Sequence, residues 1–210
     1  MTRAAELAKF IGDGTLGTGA ASDKKIVFDG NAQDFHIGLD DSSDSLTIGL
    51  GSTLGTTSHM VIDATGAITK PLQPAFLVKP SSSQLNLTVG SANTVVFGTE
   101  IFDQNGDFAS NAFTAPVTGK YHLSWTIRLV DLDNAASYII VRMETSNRNI
   151  DPIIDIDEFS SDVTYYTASF SLLMDMDAND TASVVYVQSG GSTVVDNDAN
   201  HSFFSGYLVC

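Results

Sequence analysis

Cysteine is almost missing from these 210 residues: Cys210 stands alone at the last position, so no internal disulfide can form and the redox compartment is left open. At a chain end it is expected as an exposed, frayed residue. Basic side chains are scarce, ten Lys and Arg against 25 Asp and Glu, for a formal net charge of −15. That balance argues against nucleic-acid and anionic-membrane partners, both of which rest on Lys and Arg neutralising phosphate. Charge of either sign is only 17 % while 43 % of residues are hydrophobic. Disorder needs the opposite combination, so the chain folds. No apolar run approaches the ~20 residues of a membrane-spanning helix, and no membrane insertion is expected. Near the start, Glu6 and Lys9 occupy the place of a secretory signal's uncharged stretch, so export by that route is not expected.

What is present divides the chain. Nine acidic and five basic residues precede position 75, and sixteen and five follow it, giving regional charges of −4 and −11. Aromatic residues occur in the first part only at Phe10, Phe28 and Phe35. Lys70-Pro71-Leu72-Gln73-Pro74 reads as a joint, because proline fixes φ and pushes its predecessor towards extended backbone. Three segments are expected: 1–20, 21–74 and 75–210.

Residues 2–11 place Ala4, Leu7, Ala8 and Ile11 at helical spacing behind a Thr2 cap, which predicts a short N-terminal helix. Gly12-Asp13-Gly14-Thr15-Leu16-Gly17 matches the dinucleotide fingerprint in letters only. The mechanism needs a preceding strand and a following helix, whereas here a helical pattern precedes and Gly19-Ala20-Ala21-Ser22 follows, so a linker is the better reading. Short strands are then expected at Lys25–Phe28, Asp34–Leu39, Ser45–Leu50 and His59–Asp63, separated by Gly-, Asp- and Ser-rich turns. A thin segment of this length has little interior of its own. Its alternating apolar positions suit an intertwined homotrimeric β-repeat shaft in which three chains pool their apolar faces; a small open sheet packed on the second domain is the alternative.

From Ala75 the strands lengthen. In Tyr121-His122-Leu123-Ser124-Trp125-Thr126-Ile127-Arg128-Leu129 every odd residue is apolar or aromatic and every even one polar, the pattern of a strand with one buried face. A one-residue slip would expose Trp125 and its four companions together. Further strands are expected around 93–97, 137–145, 164–174, 181–188 and 202–209. With no helical stretch among them, they predict an antiparallel sandwich of jelly-roll or immunoglobulin-like type, so the fold class is all-β.

Four pieces of this region carry a resemblance: Ala75-Phe76; Ala112-Phe113-Thr114-Ala115-Pro116-Val117-Thr118-Gly119-Lys120-Tyr121; Leu172-Leu173-Met174-Asp175-Met176-Asp177; and Phe203-Phe204-Ser205-Gly206-Tyr207-Leu208. In this order and spacing they resemble the globular heads of complement-type proteins, which belong to the tumour-necrosis-factor-like jelly rolls. The resemblance implies a ten-stranded jelly roll assembled as a tight homotrimer through aromatic and aliphatic contacts. No collagen Gly-X-Y repeat is present here, which departs from that family and leaves a complement role without support. The head-on-shaft plan, with Ile62-Asp63-Ala64-Thr65-Gly66-Ala67-Ile68-Thr69 before the head, is similar to tail-fibre and decoration proteins of bacteriophages.

Catalytic patterns are sparse. His36, His59, His122 and His201 are scattered without zinc spacing, and Gly51-Ser52-Thr53-Leu54-Gly55 puts Thr where a nucleophile elbow has Ser. Asp151, Asp155, Asp157 and Glu158 in one loop and Asp175, Asp177 and Asp180 in another supply the carboxylate pairs a glycosidase needs, but they come without an aromatic sugar platform, and solvated acidic loops are the better reading. Asp103, Asn105 and Asp107 alternate oxygen ligands like the start of a calcium loop without its downstream Glu, and equally suit a hairpin turn; Asp196-Asn197-Asp198 is a second such run. No catalytic or cofactor site is assigned, and calcium is the one candidate ion. The expected protein is a non-enzymatic bacteriophage virion component, a homotrimeric fibre or capsid decoration. Residues 1–20 would dock to capsid or tail proteins, 21–74 form the shaft, and 75–210 present a head to a host surface receptor. A cellular adhesion or recognition domain of the same fold is the alternative, and a carbohydrate-degrading fibre stands third.

Overall fold

The computed structural model describes residues 14–192 and 195–210. The expected helix at 2–11 and most of the docking segment lie outside the described residues. Residues 14–23 run without regular structure into the first strand, and no helix follows the glycine motif there. All regular structure among the described residues is β. The chain divides into two compact units between Leu72 and Gln73, inside the Lys70–Pro74 segment. Gln73 and Pro74 go with the second unit because they bond to its strands: Gln73 Nε2 donates to the Leu208 carbonyl at 2.6 Å, and the Leu208 amide donates to the Pro74 carbonyl at 3.0 Å.

The first unit is one antiparallel meander of five strands, β1 (Lys24–Phe28), β2 (Phe35–Asp40), β3 (Ser45–Leu50), β4 (Ser58–Ile62) and β5 (Ile68–Thr69), each paired with the next. The expected short strands thus pair with one another within the chain. Asp- and Gly-rich turns such as Asp41–Asp44, where Asp44 takes φ 50°, close each hairpin within the chain. The register sorts the two faces sharply. One face carries the cross-strand rows Ile26-Ile37-Ile48-Met60, Leu39-Leu46-Ile62-Ile68 and Phe28-Phe35-Leu50. The other carries His36, Gly38, Asp40, Ser45, Thr47 and Gly49, and it is this face that is buried. Loop 51–57 folds over it: His36 Nδ1 lies 2.8 Å from the Gly51 carbonyl, Leu54 is buried, and a Cβ at Gly55 would come within 2.8 Å of Asp40 Oδ2.

The second unit runs β6 (Ala75–Lys79), β7 (Gln84–Leu87), β8 (Asn93–Thr94), β9 (Thr99–Gln104), β10 (Phe108–Ala109), β11 (Ala112–Thr114), β12 (Gly119–Leu132), β13 (Ala136–Thr145), β14 (Asn149–Ile150), β15 (Ile153–Ile154), β16 (Val163–Met176), β17 (Thr181–Gly190), β18 (Val195–Asn197) and β19 (Phe203–Leu208). One sheet has the order β7-β18-β12-β19-β6-β9 with β16 on β12; the other has β10-β11-β17-β13-β14 with β8 on β17 and β15 on β13. Every pairing is antiparallel, and the two sheets form a jelly-roll sandwich.

The alternation read from Tyr121 to Leu129 is the alternation of this core: Tyr121, Leu123, Trp125, Ile127 and Leu129 are all buried. Opposite them, Val141 and Met143 of β13 and Val184 and Tyr186 of β17 are buried from the second sheet. At one end Phe76 stacks on Phe113 at 4.8 Å and meets Phe204 edge-on at 5.0 Å, in the offset and T-shaped geometries that ring quadrupoles favour. β19 passes this cluster at Gly206, where a Cβ would lie 2.6 Å from Leu123 Cδ2 and 2.8 Å from Phe76 Cε1. Only glycine lets the strand approach so closely.

Candidate functional site

The alternation that buries Trp125 turns His122, Ser124, Thr126 and Arg128 to the outside of the first sheet. Pairing brings Leu173 and Tyr207 beside His122, Ser169 and Phe203 beside Thr126, and Thr167 beside Arg128. The His122 and Tyr207 rings lie 5.3 Å apart, the Thr126 and Ser169 hydroxyls 2.9 Å apart, and Arg128 Nε donates to Thr167 Oγ1 at 3.3 Å. The Arg128 guanidinium carbon sits 5.9 Å from the Tyr165 ring centroid, a cation–π contact that holds both side chains over β16. Tyr165 is 65 % exposed, Leu173 53 % and Tyr207 49 %. Tyr and Arg on a rigid sheet are the residue types that anchor protein interfaces.

β16 itself is unusual. It is 14 residues long, and among the described residues it pairs only with β12, so its far edge shows a row of unpaired backbone groups. Pairing alone would read as an invitation to further strands, and natural edges are normally shortened, charged or covered. Here Leu172 and Leu173 are exposed beside it instead. The sequence hid this surface because apolar residues of β16 fall on both parities: Tyr166, Phe170 and Met174 follow the core side, while Tyr165 and Leu173 face out.

Three of the seven acidic-loop carboxylates, Asp151, Asp175 and Asp180, are held by partners outside their own cluster of acids or by their own turn. Asp151 accepts from Arg142 Nε at 2.5 Å and Nη2 at 3.1 Å, with Glu144 3.4 Å from Nη1. Asp175 forms a two-pronged pair with Arg148, which holds its carboxyl down to about 2. Asp180 caps the Asp177 amide at 2.8 Å. Asp155, Asp157 and Glu158 place one carboxylate oxygen each within 4.8 Å of one another on the exposed surface. A hydrogen bond with Asp157, followed by its charge, pushes the Asp155 carboxyl up.

At the calcium candidate, Asp103 spends both oxygens on its own turn, accepting the amides of Asp107 at 3.1 Å and Phe108 at 2.9 Å. Asn105 (φ 86°) and Gly106 (φ 75°) supply the left-handed pair of a tight hairpin. Burial, and then the Asp103 charge, raises the Asp107 carboxyl, and its Oδ2 is buried without a partner. In the second run, Asp196 accepts the Asn86 amide at 2.7 Å, Asn197 is buried and accepts the Ser202 hydroxyl at 2.7 Å, and Asp198 accepts the Asn200 amide at 2.7 Å and faces His201 at 3.3 Å. The other histidines are equally dispersed: His36 is buried in the first unit and His59 lies edge-on to Phe35 at 6.0 Å. Among the described residues of the second unit, His201 meets Asp198 and His122 meets Tyr207.

The model of the C1q domain family matches residues 75–209, nearly the whole sandwich and more than half of the chain. The chain belongs to the C1q domain family. Its C1q head is similar to the globular domain of the zebrafish complement 1qA protein, at 16 % identity over 66 % of this chain and 98 % of that one, with a TM-score of 0.48. It is also similar to murine APRIL at pH 8.0, at 10 % identity over 65 % of this chain and 99 % of that one, with a TM-score of 0.47. None of the curated protein sequences matches the chain. Domains of the C1q type typically form homotrimers.

Proposed function

We propose that this chain is a non-enzymatic display protein in which three C1q heads associate through the β16 side and present their loops to a surface partner, and that its setting is a bacteriophage virion, as a short fibre or decoration. The observation that carries the trimer is the uncovered β16 edge with Tyr165, Leu172 and Leu173 exposed along it. A closed threefold arrangement covers such edges on all copies at once, because each head offers the same patch to its neighbour. The virion setting is supported by the Asp- and Gly-rich five-stranded unit that stands before the head where a collagen repeat would stand in a complement protein. The net charge of −11 on residues 75–210 favours a cationic, neutral or cation-bridged partner over an anionic one.

The family match favours a second reading, a cellular recognition or adhesion domain, since it carries no mark of a virion. Two measurements separate the readings. Light scattering is expected to give three times 22.3 kDa, and a single-chain mass overturns the trimer. An antibody against the head is expected to label purified virions; labelling confined to cell surfaces would favour the cellular reading.

A further inference from the structure

The first unit is built inside out for a lone chain. Its polar face, with His36, Asp40, Ser45 and Thr47, is buried under loop 51–57, while the face carrying three apolar rows is open. Seven large residues of that face, from Ile48 at 39 % to Phe28 at 61 %, are exposed. Taking roughly 200 Å² for a large side chain, these seven leave about 650 Å² of apolar surface, and the four half-buried members of the rows raise it to about 800 Å². A typical monomer's largest apolar patch is about 300–600 Å², and a stable interface takes about 800 Å² from each partner. Within the strands, Lys24 is the one charged residue on this face. A shallow hollow of about 270 Å³ between Leu16, Ile26, Ile37, Leu39 and Leu46 lies on it.

We infer that this face is a second self-association surface, packed against the same face of the other copies of this chain, so that three five-stranded sheets share one apolar core. An almost uncharged apolar face offers no polar handle to select a different partner, whereas a copy of itself matches it in chemistry and area. The inference rests on the head trimer proposed above, which tethers three such faces at an effective concentration on the order of millimolar, where even a modest apolar contact closes. The head side and this face are separate surfaces on separate units.

The test uses the full chain with Cys210→Ser and a single new cysteine, either Ile48→Cys in the middle apolar row or Lys25→Cys on the opposite face of the same sheet. Each is treated with a short bismaleimide at low protein concentration, after light scattering has given its mass. At the trimer mass, Ile48→Cys is expected to give covalent dimers at least tenfold more efficiently than Lys25→Cys. A trimer in which the two positions cross-link alike, or neither does, overturns the shared core while leaving the head trimer standing, and means that another part of the assembly covers the face. A single-chain mass overturns both.

Discussion

Gly206→Ala adds one methyl group at a position where backbone conformation permits it and space does not. The new Cβ would stand 2.6 Å from Leu123 Cδ2, 2.8 Å from Phe76 Cε1 and 3.1 Å from the His122 carbonyl oxygen. None of the three yields readily. Leu123 and Phe76 are fully buried, Phe76 is stacked between Phe113 and Phe108, and the His122 carbonyl is fixed by the β12–β19 ladder. Overpacking of this kind costs about 1–3 kcal/mol. Against it stands about 0.4–1 kcal/mol from the reduced freedom of the unfolded chain. The packing term wins, so a net loss of about 1–2 kcal/mol is expected, which lowers the melting midpoint of a domain this size by roughly 3–8 °C. The assay is thermal unfolding by circular dichroism at one fixed protein concentration, because an oligomer's midpoint depends on it. In a Leu123→Val background, where the closest methyl is gone, the same substitution should cost about 0.5–1 kcal/mol less. A midpoint unchanged or raised by Gly206→Ala, or a cost indifferent to residue 123, would refute the close-approach argument.

The Asp175–Arg148 pair sets a pH signature. The folded carboxyl titrates near 2 and the unfolded one near its ordinary 3.8, so the pair's contribution is complete above 3.8 and is lost as pH falls towards 2. The gap in midpoint between the native chain and Asp175→Asn should therefore close over that interval, and a gap constant from neutral pH to pH 2 contradicts it. Asp103→Ala strips two backbone amides of their acceptor and is expected to destabilise the hairpin by about 1–2 kcal/mol in urea unfolding. Because those amides already occupy both Asp103 oxygens, millimolar calcium should leave the native midpoint where it is; a rise of several degrees would show that the turn opens to take the ion.

Local pattern was enough where one strand's two faces differ in polarity. The period of two from Tyr121 to Leu129 specifies which residues form the core without reference to any other part of the chain, since neighbouring side chains on a strand must point oppositely. The same reasoning located the short strand Ser45–Leu50 to the residue and the all-β class as a whole. It weakened on β16, whose apolar residues sit on both faces, and on β8, where the expected strand at 93–97 is regular only over Asn93–Thr94. It could not foresee ion pairing. Arg148 and Asp175 lie 27 residues apart and meet only because the sandwich brings the turn after β13 to the end of β16.

In the first unit, alternation alone determined which residues of one strand go together, Phe35, Ile37 and Leu39 on β2 and Leu46, Ile48 and Leu50 on β3, because period two is a property of the strand; the register between strands joined those sets into one face. Which face would be covered was decided by tertiary structure. Loop 51–57 carries a buried Leu54 and a close-passing Gly55 to the side of His36 and Asp40, and so leaves the apolar rows open. Strand periodicity is written in adjacent residues, but the cover over a sheet comes from a segment whose path depends on the hairpins already formed.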